Sequence, residues 1–517
     1  MLFADRICAV IAEATAKAAL ARIRSVLRGS RAAYPTVELR LDWLSKRGEL
    51  EKLLGRLPAI LRAPDRRRKH TRPRPCVIAT LRRRVAGGRF EGGLAAQRVG
   101  LLATAKAGCA WCDVEVESAE PLGKKGMSEL RQAGAKVLVS FHDFARTPRG
   151  LRRIVRRLER CGGDAIKIAT HCRTLGDSVR LLRTAQGRRD VVAVPMGEAG
   201  LPCRVLALRR GSALAYAAAE AATAPGQLSL QEMRELYRAD RLDRRTRIYG
   251  VIGDPVLHSL SPVLHNAAYA ARHVNSVYVP IPVRELRDFL KALPSLDLAG
   301  FSITLPYKQA ILRHLAECDP LAARIGAVNT VMVQGKGRLH GYNTDYIGVL
   351  QALKSHLRLR GSRVLLLGAG GAARAAAFAL AEAGAAVLIC ARRAAQAREL
   401  ARAVGGEVVS RPALRRVRFA AIINATPVGL TGASGSPLHA GEMNCDVVMD
   451  MVYRPIETPL LRLAARRGIE TVSGVEMFVA QAAAQWEIWF GGHAPVAVMR
   501  RAVLAALGRE ESPAPSW

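Results

Sequence analysis

Three features of the 517-residue sequence predict an α/β protein in two parts. The first half repeats a strand-then-helix rhythm eight times in about 220 residues, the arithmetic of an eight-stranded β/α (TIM) barrel. The second half alternates in the same way but carries a Gly-rich turn between a strand and a helix, the mark of a Rossmann dinucleotide-binding βαβ unit. The very basic stretch 243–247 separates the halves. The predicted domains are the barrel at 1–243 and a two-lobed unit at 244–517. Its first lobe covers about 247–345 plus the C-terminal helices, and its Rossmann lobe about 346–480.

The barrel strands read as ICAVI (7–11), TVELRLDWL (36–44), PCVIATLR (75–82), WCDVEVE (111–117), KVLVSFHDF (136–144), DAIKIAT (164–170), DVVAVPMG (190–197) and a weaker SALAYAAA (212–219). Stretches rich in Ala, Leu and Arg between most of them predict helices. The prolines and charge of 64–75 predict a solvated loop. LSLQEMRELYRADRL (228–242) is expected to be helical, and IYGVIGD (248–254) opens the second half as a strand. Further on, RVLLLG (363–368) runs into a Gly-rich turn and an Ala-rich helix. The next strand is AVLICARR (386–393).

Lys and Arg number 79 against 43 acidic residues, a net charge of +36 spread along the whole chain. Nucleic-acid binding, steering of anionic substrates and solvated Arg-rich faces would each account for it. No run of 18 apolar residues exists, so no membrane span is expected. Asp5 and Glu13 interrupt the apolar stretch near the start, which argues against a signal peptide. With no transit-like extension before the first strand, the expected compartment is the cytoplasm. Ten thinly spread cysteines fit free thiols there. Cys109 and Cys112 form a C-x-x-C, but they lack a second pair and run into a strand. Neither a metal site nor a redox motif is expected.

Ligands of a β/α barrel collect at the C-terminal ends of its strands. The polar residues there are Glu38, Arg40, Arg82, Glu115, His142, Lys167, Arg204, Thr223 and Gln227. Lys167 lies in the apolar run AIKIAT. An interior lysine loses hydration, and nearby cations also disfavour its charged form, so a free amine is expected. That suggests Schiff-base chemistry on a ketone, with His142 as proton shuttle and arginines clamping a carboxylate.

The strings VELRLDWL, TLRRRVAGG, DVE, FHDF, IKIA, GLPCR and ATAPGQLS closely resemble type I 3-dehydroquinate dehydratase over about residues 5–242. The resemblance implies that Lys167 forms the Schiff base and that His142 moves the proton. It implies that Glu115 orients His142, and that Arg40, Arg82 and Arg204 hold the substrate with Glu38, Thr223 and Gln227 nearby. Cys203 and Thr223 depart from the commoner serines, which predicts altered affinity rather than lost chemistry.

In the second half, Ser259 and Ser261 stand one residue apart before Pro262. They could bind a carboxylate or cap a helix. Thr304 and Lys308 follow a strand. Asn329, Asn343, Thr344 and Asp345 come later. In a cleft beside a cofactor, a Lys–Asp pair can deliver a proton. The turn Gly368-Ala369-Gly370-Gly371-Ala372 lets the backbone approach a pyrophosphate. The following strand ends in Cys390-Ala391-Arg392-Arg393 without an acidic residue, which favours NADP over NAD.

HSLSP, ITLPYK, AVNT, NTD, GAGGAARA, NATPVGL, DMVYRPIETPLL and GVEMFVAQAA resemble shikimate dehydrogenase over about residues 247–510. The resemblance implies a Lys308–Asp345 catalytic dyad and substrate contacts from Ser259, Ser261, Thr304, Asn329, Asp345 and Gln481. It implies NADP contacts from Gly368, Gly370, Gly371, Ala372, Arg392 and Arg393. Thr426, Gly474 and Met477 would lie toward the nicotinamide. Ser302 replaces a common Asn, and Ala391 and Arg393 replace the usual Asn and Thr, so the phosphate pocket is expected to be rearranged.

The two families catalyse successive steps, so the whole chain resembles fused dehydroquinate dehydratase–shikimate dehydrogenases. The implied partners are 3-dehydroquinate, 3-dehydroshikimate, shikimate and NADP(H), with no metal. Neither nucleic acid nor membrane is expected, and the oligomeric state is left open. Three alternatives follow from the same residues. The second site could prefer quinate, one site could have decayed, or retired enzyme folds could serve nucleic-acid binding.

Overall fold

The computed structural model describes residues 2–3, 5–29, 35–46, 48–62, 75–220, 226–430 and 435–511. The chain forms two compact units, 1–246 with Arg287–Leu296, and Arg247–Leu286 with 297–517.

The first unit is built on β1 (Ile7–Ile11), β2 (Thr36–Arg40), β3 (Cys76–Thr80), β4 (Trp111–Glu115), β5 (Lys136–Asp143), β6 (Ala165–His171), β7 (Val191–Met196) and β8 (Ala215–Ala218). The sheet order is β7-β6-β5-β4-β3-β2-β1-β8, and every ladder is parallel. No ladder joins β7 to β8 among the described residues, so the predicted barrel is nearly closed. The hydrogen bond from Ala213 N to Val191 O ties the chain across that seam. These strands form because apolar runs of β-branched residues must bury both faces in a parallel sheet. Inside, Phe3 stacks on Trp111 at 4.7 Å, and Cys8, Val10, Ile78, Leu138 and Val192 pack with them.

Two expected elements differ. The second strand stops at Arg40, and Leu41–Trp43 turns as a 3-10 helix. The chain turns where the Asp42 carboxylate takes both guanidinium hydrogen bonds of Arg40. Residues 228–242 do not form one helix. Glu232–Leu236 is a short π turn, Arg238 takes φ 48° and Ala239–Arg241 a 3-10 turn. That left-handed break lets Met233, Tyr237, Ala239 and Leu242 all bury.

The second unit has two sheets. The first contains β9 (Arg247–Gly253), β10 (Ser276–Pro282), β11 (Leu298–Ile303), β12 (Glu317–Cys318), β13 (Thr330–Gln334) and β14 (Arg338–Tyr342), in the order β10-β9-β11-β13-β14-β12. It is mixed, with β13 antiparallel to both β11 and β14. The second contains β15 (Arg363–Leu367), β16 (Ala386–Cys390), β17 (Glu407–Val408), β18 (Phe419–Asn424), β19 (Cys445–Asp450) and β20 (Glu470–Val472). Its order, β17-β16-β15-β18-β19-β20, is the doubly wound order with its reversal between β15 and β18. Leu367 pairs with both Cys390 and Asn424, so these strand ends open onto one crevice. The helix Gly371–Glu382 is Ala-rich, which gives high helix propensity. Its small side chains also let it lie close over the sheet. The helix Gly474–Phe490 packs Val475, Val479 and Trp486 into the first lobe's core and Met477 into the second's.

Candidate active sites

In the barrel, adjacent strands bring the polar side chains to one level. Lys167 pairs with Ser140, Ser140 with Glu115, and Asp113 with Thr80. The Lys167 amine is buried. It donates to Asp113 Oδ2 at 2.6 Å, to Glu38 Oε1 at 3.1 Å and to the Tyr216 hydroxyl at 3.4 Å. Sequence reasoning placed cations around this lysine. The structure places two carboxylates against it, because Glu38 and Asp113 come from strands far apart in the chain.

Thr80 Oγ1 donates to Glu38 at 2.7 Å, and Ser140 Oγ to Asp113 Oδ1 at 2.5 Å. Arg82 is buried with its guanidinium 3.4 Å from Asp113. Burial favours the neutral Asp113 acid. The Lys167 and Arg82 cations, with hydrogen bonds from Lys167 and Ser140, outweigh it and hold the group below the ordinary carboxylate range. Arg40 is held by Asp42 at 3.0 and 2.9 Å. Arg204 is 4% exposed, and burial lowers its pKa to about 10. Gln227 is half-buried, and Thr223 lies outside the described residues.

His142 has its Nδ1 buried with no hydrogen-bond partner. Burial, then the Arg82, Lys167 and Arg40 cations, push it well below the usual histidine value. It is therefore a neutral imidazole, ready to accept a proton. The expected partnership with Glu115 is not formed. Glu115 accepts from Gln97 Nε2 at 2.8 and 2.9 Å, Ser118 Oγ at 3.0 Å, Arg83 N at 3.2 Å and Arg83 Nε at 3.4 Å. It sits at the last position of β4, where the chain enters a helix, and those donors take both its oxygens.

Asp113, Ser140 and Tyr216 were missed. Asp113 could have been found, because it stands two residues before Glu115 in a strand, and such residues share a face. Tyr216 is an isolated hydroxyl in an Ala-rich strand, which gives no signal.

In the second unit, the turn after β11 presents Lys308, and Val328 N donates to its carbonyl at 2.7 Å. Its amine donates to Asp345 Oδ2. Asp345 begins the helix Asp345–Leu353, and its backbone N–H donates to Asn343 Oδ1 at 3.1 Å. Asn329 Nδ2 donates to Asp345 Oδ1 at 2.8 Å and to Thr344 Oγ1 at 3.0 Å. Gln481 Oε1 is 3.5 Å from Thr344 Oγ1. Ser259 Oγ donates to Ser261 Oγ at 3.1 Å, and no side chain caps the helix that Ser261 begins. Thr304 is half-buried where β11 ends, and its N–H donates to Ile252 O at 3.0 Å. Behind these lies a buried polar cluster. Tyr278 OH donates to Ser302 Oγ at 2.6 Å, Ser302 to Gln485 Oε1 at 3.0 Å, and Gln485 Nε2 to Thr330 Oγ1 at 3.0 Å. Gln485, one helical turn after Gln481, was missed.

The Gly-rich turn fits a dinucleotide. Gly368 has φ 109°, and a Cβ there would lie 3.2 Å from Ala425 O, so the turn needs glycine. No side chain caps the helix that Gly371 and Ala372 open, and nothing lies within 4 Å of a Cβ on Gly370. Backbone N–H groups thus face open space, as a pyrophosphate requires. Arg392 and Arg393 are exposed at the end of β16 with no acidic residue beside them in sequence, which fits a 2′-phosphate. Thr426 is fixed through its N–H and hydroxyl to Asn424 Oδ1, at 3.0 and 2.7 Å. Gly474 presses on Val452 O and Met477 is buried. A Cβ on Gly371 would lie 3.6 Å from the Lys308 side chain, so the dyad faces this turn.

Residues 7–244 match the family model of type I 3-dehydroquinase, 251–331 the shikimate dehydrogenase substrate binding domain and 474–504 the shikimate 5′-dehydrogenase C-terminal domain. The chloroplastic bifunctional 3-dehydroquinate dehydratase/shikimate dehydrogenase of Arabidopsis thaliana is 36% identical over 484 residues, covering 89% of this chain and 78% of that protein. The NADP(+) shikimate dehydrogenase of Halobacterium salinarum is 44% identical over 267 residues, covering 50% of this chain and 99% of that protein. A crystal structure of shikimate 5-dehydrogenase from Thermus thermophilus with NADP(H) and shikimate is 39% identical, covers 50% of this chain and 100% of that one, and has a TM-score of 0.48. The chain belongs to the family of bifunctional 3-dehydroquinate dehydratases/shikimate dehydrogenases.

Proposed function

We propose that Lys167 and His142 carry out the dehydration of 3-dehydroquinate, and that Lys308 and Asp345 carry out the reduction of 3-dehydroshikimate to shikimate. The chain is a lyase and an NADP-dependent oxidoreductase acting at neighbouring steps of the shikimate pathway. The observation that carries the assignment is a lysine held by a carboxylate in each unit, one beneath a neutral histidine and one against a Gly-rich turn.

In the barrel, the Lys167 nitrogen attacks the ketone and the carbonyl oxygen leaves as water. His142 accepts the adjacent carbon proton and returns it to the departing hydroxyl, and water then hydrolyses the C=N bond, freeing 3-dehydroshikimate and the Lys167 amine. Arg82, Arg204 and Arg40 hold the carboxylate and hydroxyls, since buried guanidinium groups bind such oxygens strongly. In the second unit, Ser259, Ser261, Thr304, Asn329 and Gln481 orient the substrate. Lys308 protonates the carbonyl oxygen, and Asp345, steadied by Asn329, holds that lysine in place. Gly368, Gly370, Gly371, Ala372, Arg392 and Arg393 hold NADP(H), with Thr426, Gly474 and Met477 toward its nicotinamide end. When bound, NADPH supplies the electron pair that reduces the carbonyl carbon. All ten cysteines are free, which supports a reducing compartment such as the cytoplasm. No helix among the described residues is long and apolar enough to cross a membrane.

The test is a coupled assay that follows loss of NADPH absorbance after adding 3-dehydroquinate. Oxidation is expected, lost in Lys167→Ala and in Lys308→Ala, with the first rescued by 3-dehydroshikimate. No oxidation with either substrate would sink the dehydrogenase assignment.

A further inference from the structure

We propose that Asp113 is the counter-ion of the imine formed on Lys167, the carboxylate that neutralises the positive nitrogen while substrate is attached. The proposal rests on the assignment of Lys167 as the imine-forming amine. The geometry is specific. Asp113 Oδ2 lies 2.6 Å from Lys167 Nζ, and the Asp113 side chain is 0% exposed, so water does not compete. Ser140 holds Oδ1 at 2.5 Å and Arg82 stands 3.4 Å from Oδ2, so the carboxylate is pinned in place. Both donors favour its ionised form, which is the direction of its shift. Glu38 is farther from Nζ at 3.1 Å, and its nearer oxygen also accepts from Thr80.

The charge is the same before and after imine formation. The nitrogen begins as an ammonium with three protons and ends as an iminium with one. One proton first passes from the ammonium to the carbonyl oxygen, the freed lone pair on Nζ bonds to the carbonyl carbon, and a second proton then follows to the oxygen. The C–O bond breaks, water leaves, and the nitrogen lone pair closes the C=N⁺ bond. One positive charge sits on nitrogen at the start and at the end. An anion preorganised for the ammonium therefore serves the iminium without moving. In a water-excluded site that attraction is far stronger than in solvent.

Borohydride reduces an iminium to a stable amine, so it reports this charged state directly. The full chain is mixed with 3-dehydroshikimate and borohydride, without NADPH, from pH 6 to 10, and the adduct on the Lys167 peptide is measured by mass. The wild type is expected to trap to high pH. Asp113→Asn is expected to fail about one to three pH units lower, the range for loss of an opposite charge at contact. Above that point its trapped fraction falls at least tenfold. Ser140→Ala, which frees Oδ1, is expected to move the fall-off in the same direction by less. It carries the test if Asp113→Asn loses the native tryptophan fluorescence of the chain. Wild-type trapping at every pH in a folded Asp113→Asn overturns the proposal and leaves the imine standing. If Ser140→Ala must carry the test, an unmoved fall-off does the same. No adduct on the wild type at any pH overturns the imine assignment and the proposal with it.

Discussion

Replacing Glu115 by Gln separates a structural role from a catalytic one. Glu115 is 1% exposed and accepts hydrogen bonds from Gln97, Ser118 and Arg83. A glutamine keeps one acceptor oxygen but turns the other atom into a donor. That donor would face Gln97 Nε2, now 2.9 Å from Oε2. Gln97 can turn its own unpartnered Oε1 toward it, but then gives up its 2.8 Å bond to Leu81 O. One hydrogen bond is lost, and those from Arg83 lose their charge assistance. Together these cost about 2.5 kcal/mol. With a urea m-value of about 3 kcal/mol/M for a unit of this size, the midpoint falls by about 0.8 M. Residual dehydratase activity across urea reads this out, with dehydrogenase activity of the same sample as reference. The acid limb of the dehydratase should stay where it is in the wild type. An unmoved midpoint together with a displaced acid limb would mean that Glu115 acts through His142 after all.

Four further outcomes are expected. His142 is held neutral, so dehydratase kcat/KM should stay flat as pH falls through 6.5; a limb centred at the ordinary histidine value would contradict this. Arg392→Ala combined with Arg393→Ala should raise the KM for NADPH by about 10- to 100-fold with little effect on NADH, as charge-assisted bonds of about 1.5–3 kcal/mol imply. Equal loss with both cofactors would refute the phosphate assignment. Burial lowers His265 to about 3. The unfolded chain therefore takes up a proton below about 6.5 that the folded chain refuses, so stability is complete above that pH and declines as pH falls. At pH 5 this amounts to about 2 kcal/mol, read as a lower urea midpoint for dehydrogenase activity than at pH 7, and equal midpoints would refute it. Finally, if the +36 charge draws in anionic substrates, apparent KM should rise with salt, and salt-independent KM values would discard steering.

The barrel strands, the Rossmann unit and its nucleotide turn were legible in the sequence because they depend on short-range features, whereas the antiparallel pairing of β13 in the other lobe was not. Apolar runs such as ICAVI and RVLLLG report burial locally, and the turn after β15 needs glycine whatever lies elsewhere. The resemblance also carried the two lysines, His142 and Asp345 to their positions, since each lies inside a contiguous motif. Residues 228–242 misled because a helical apolar spacing and an interrupted turn can bury the same residues, and only packing chose between them. The partnerships inside each site were likewise beyond reach. Glu38 and Lys167 are 129 positions apart and Asp113 and Lys167 are 54, so no local pattern could show that two carboxylates meet that amine. Glu115 and His142 sit in neighbouring strands, yet one turns to Gln97 and Arg83 while the other stands among cations. The sequence by itself determined which chemical groups the protein owns and on which elements they ride. Tertiary structure alone decided which of them touch, because charge, desolvation and hydrogen bonding act through space and not along the chain.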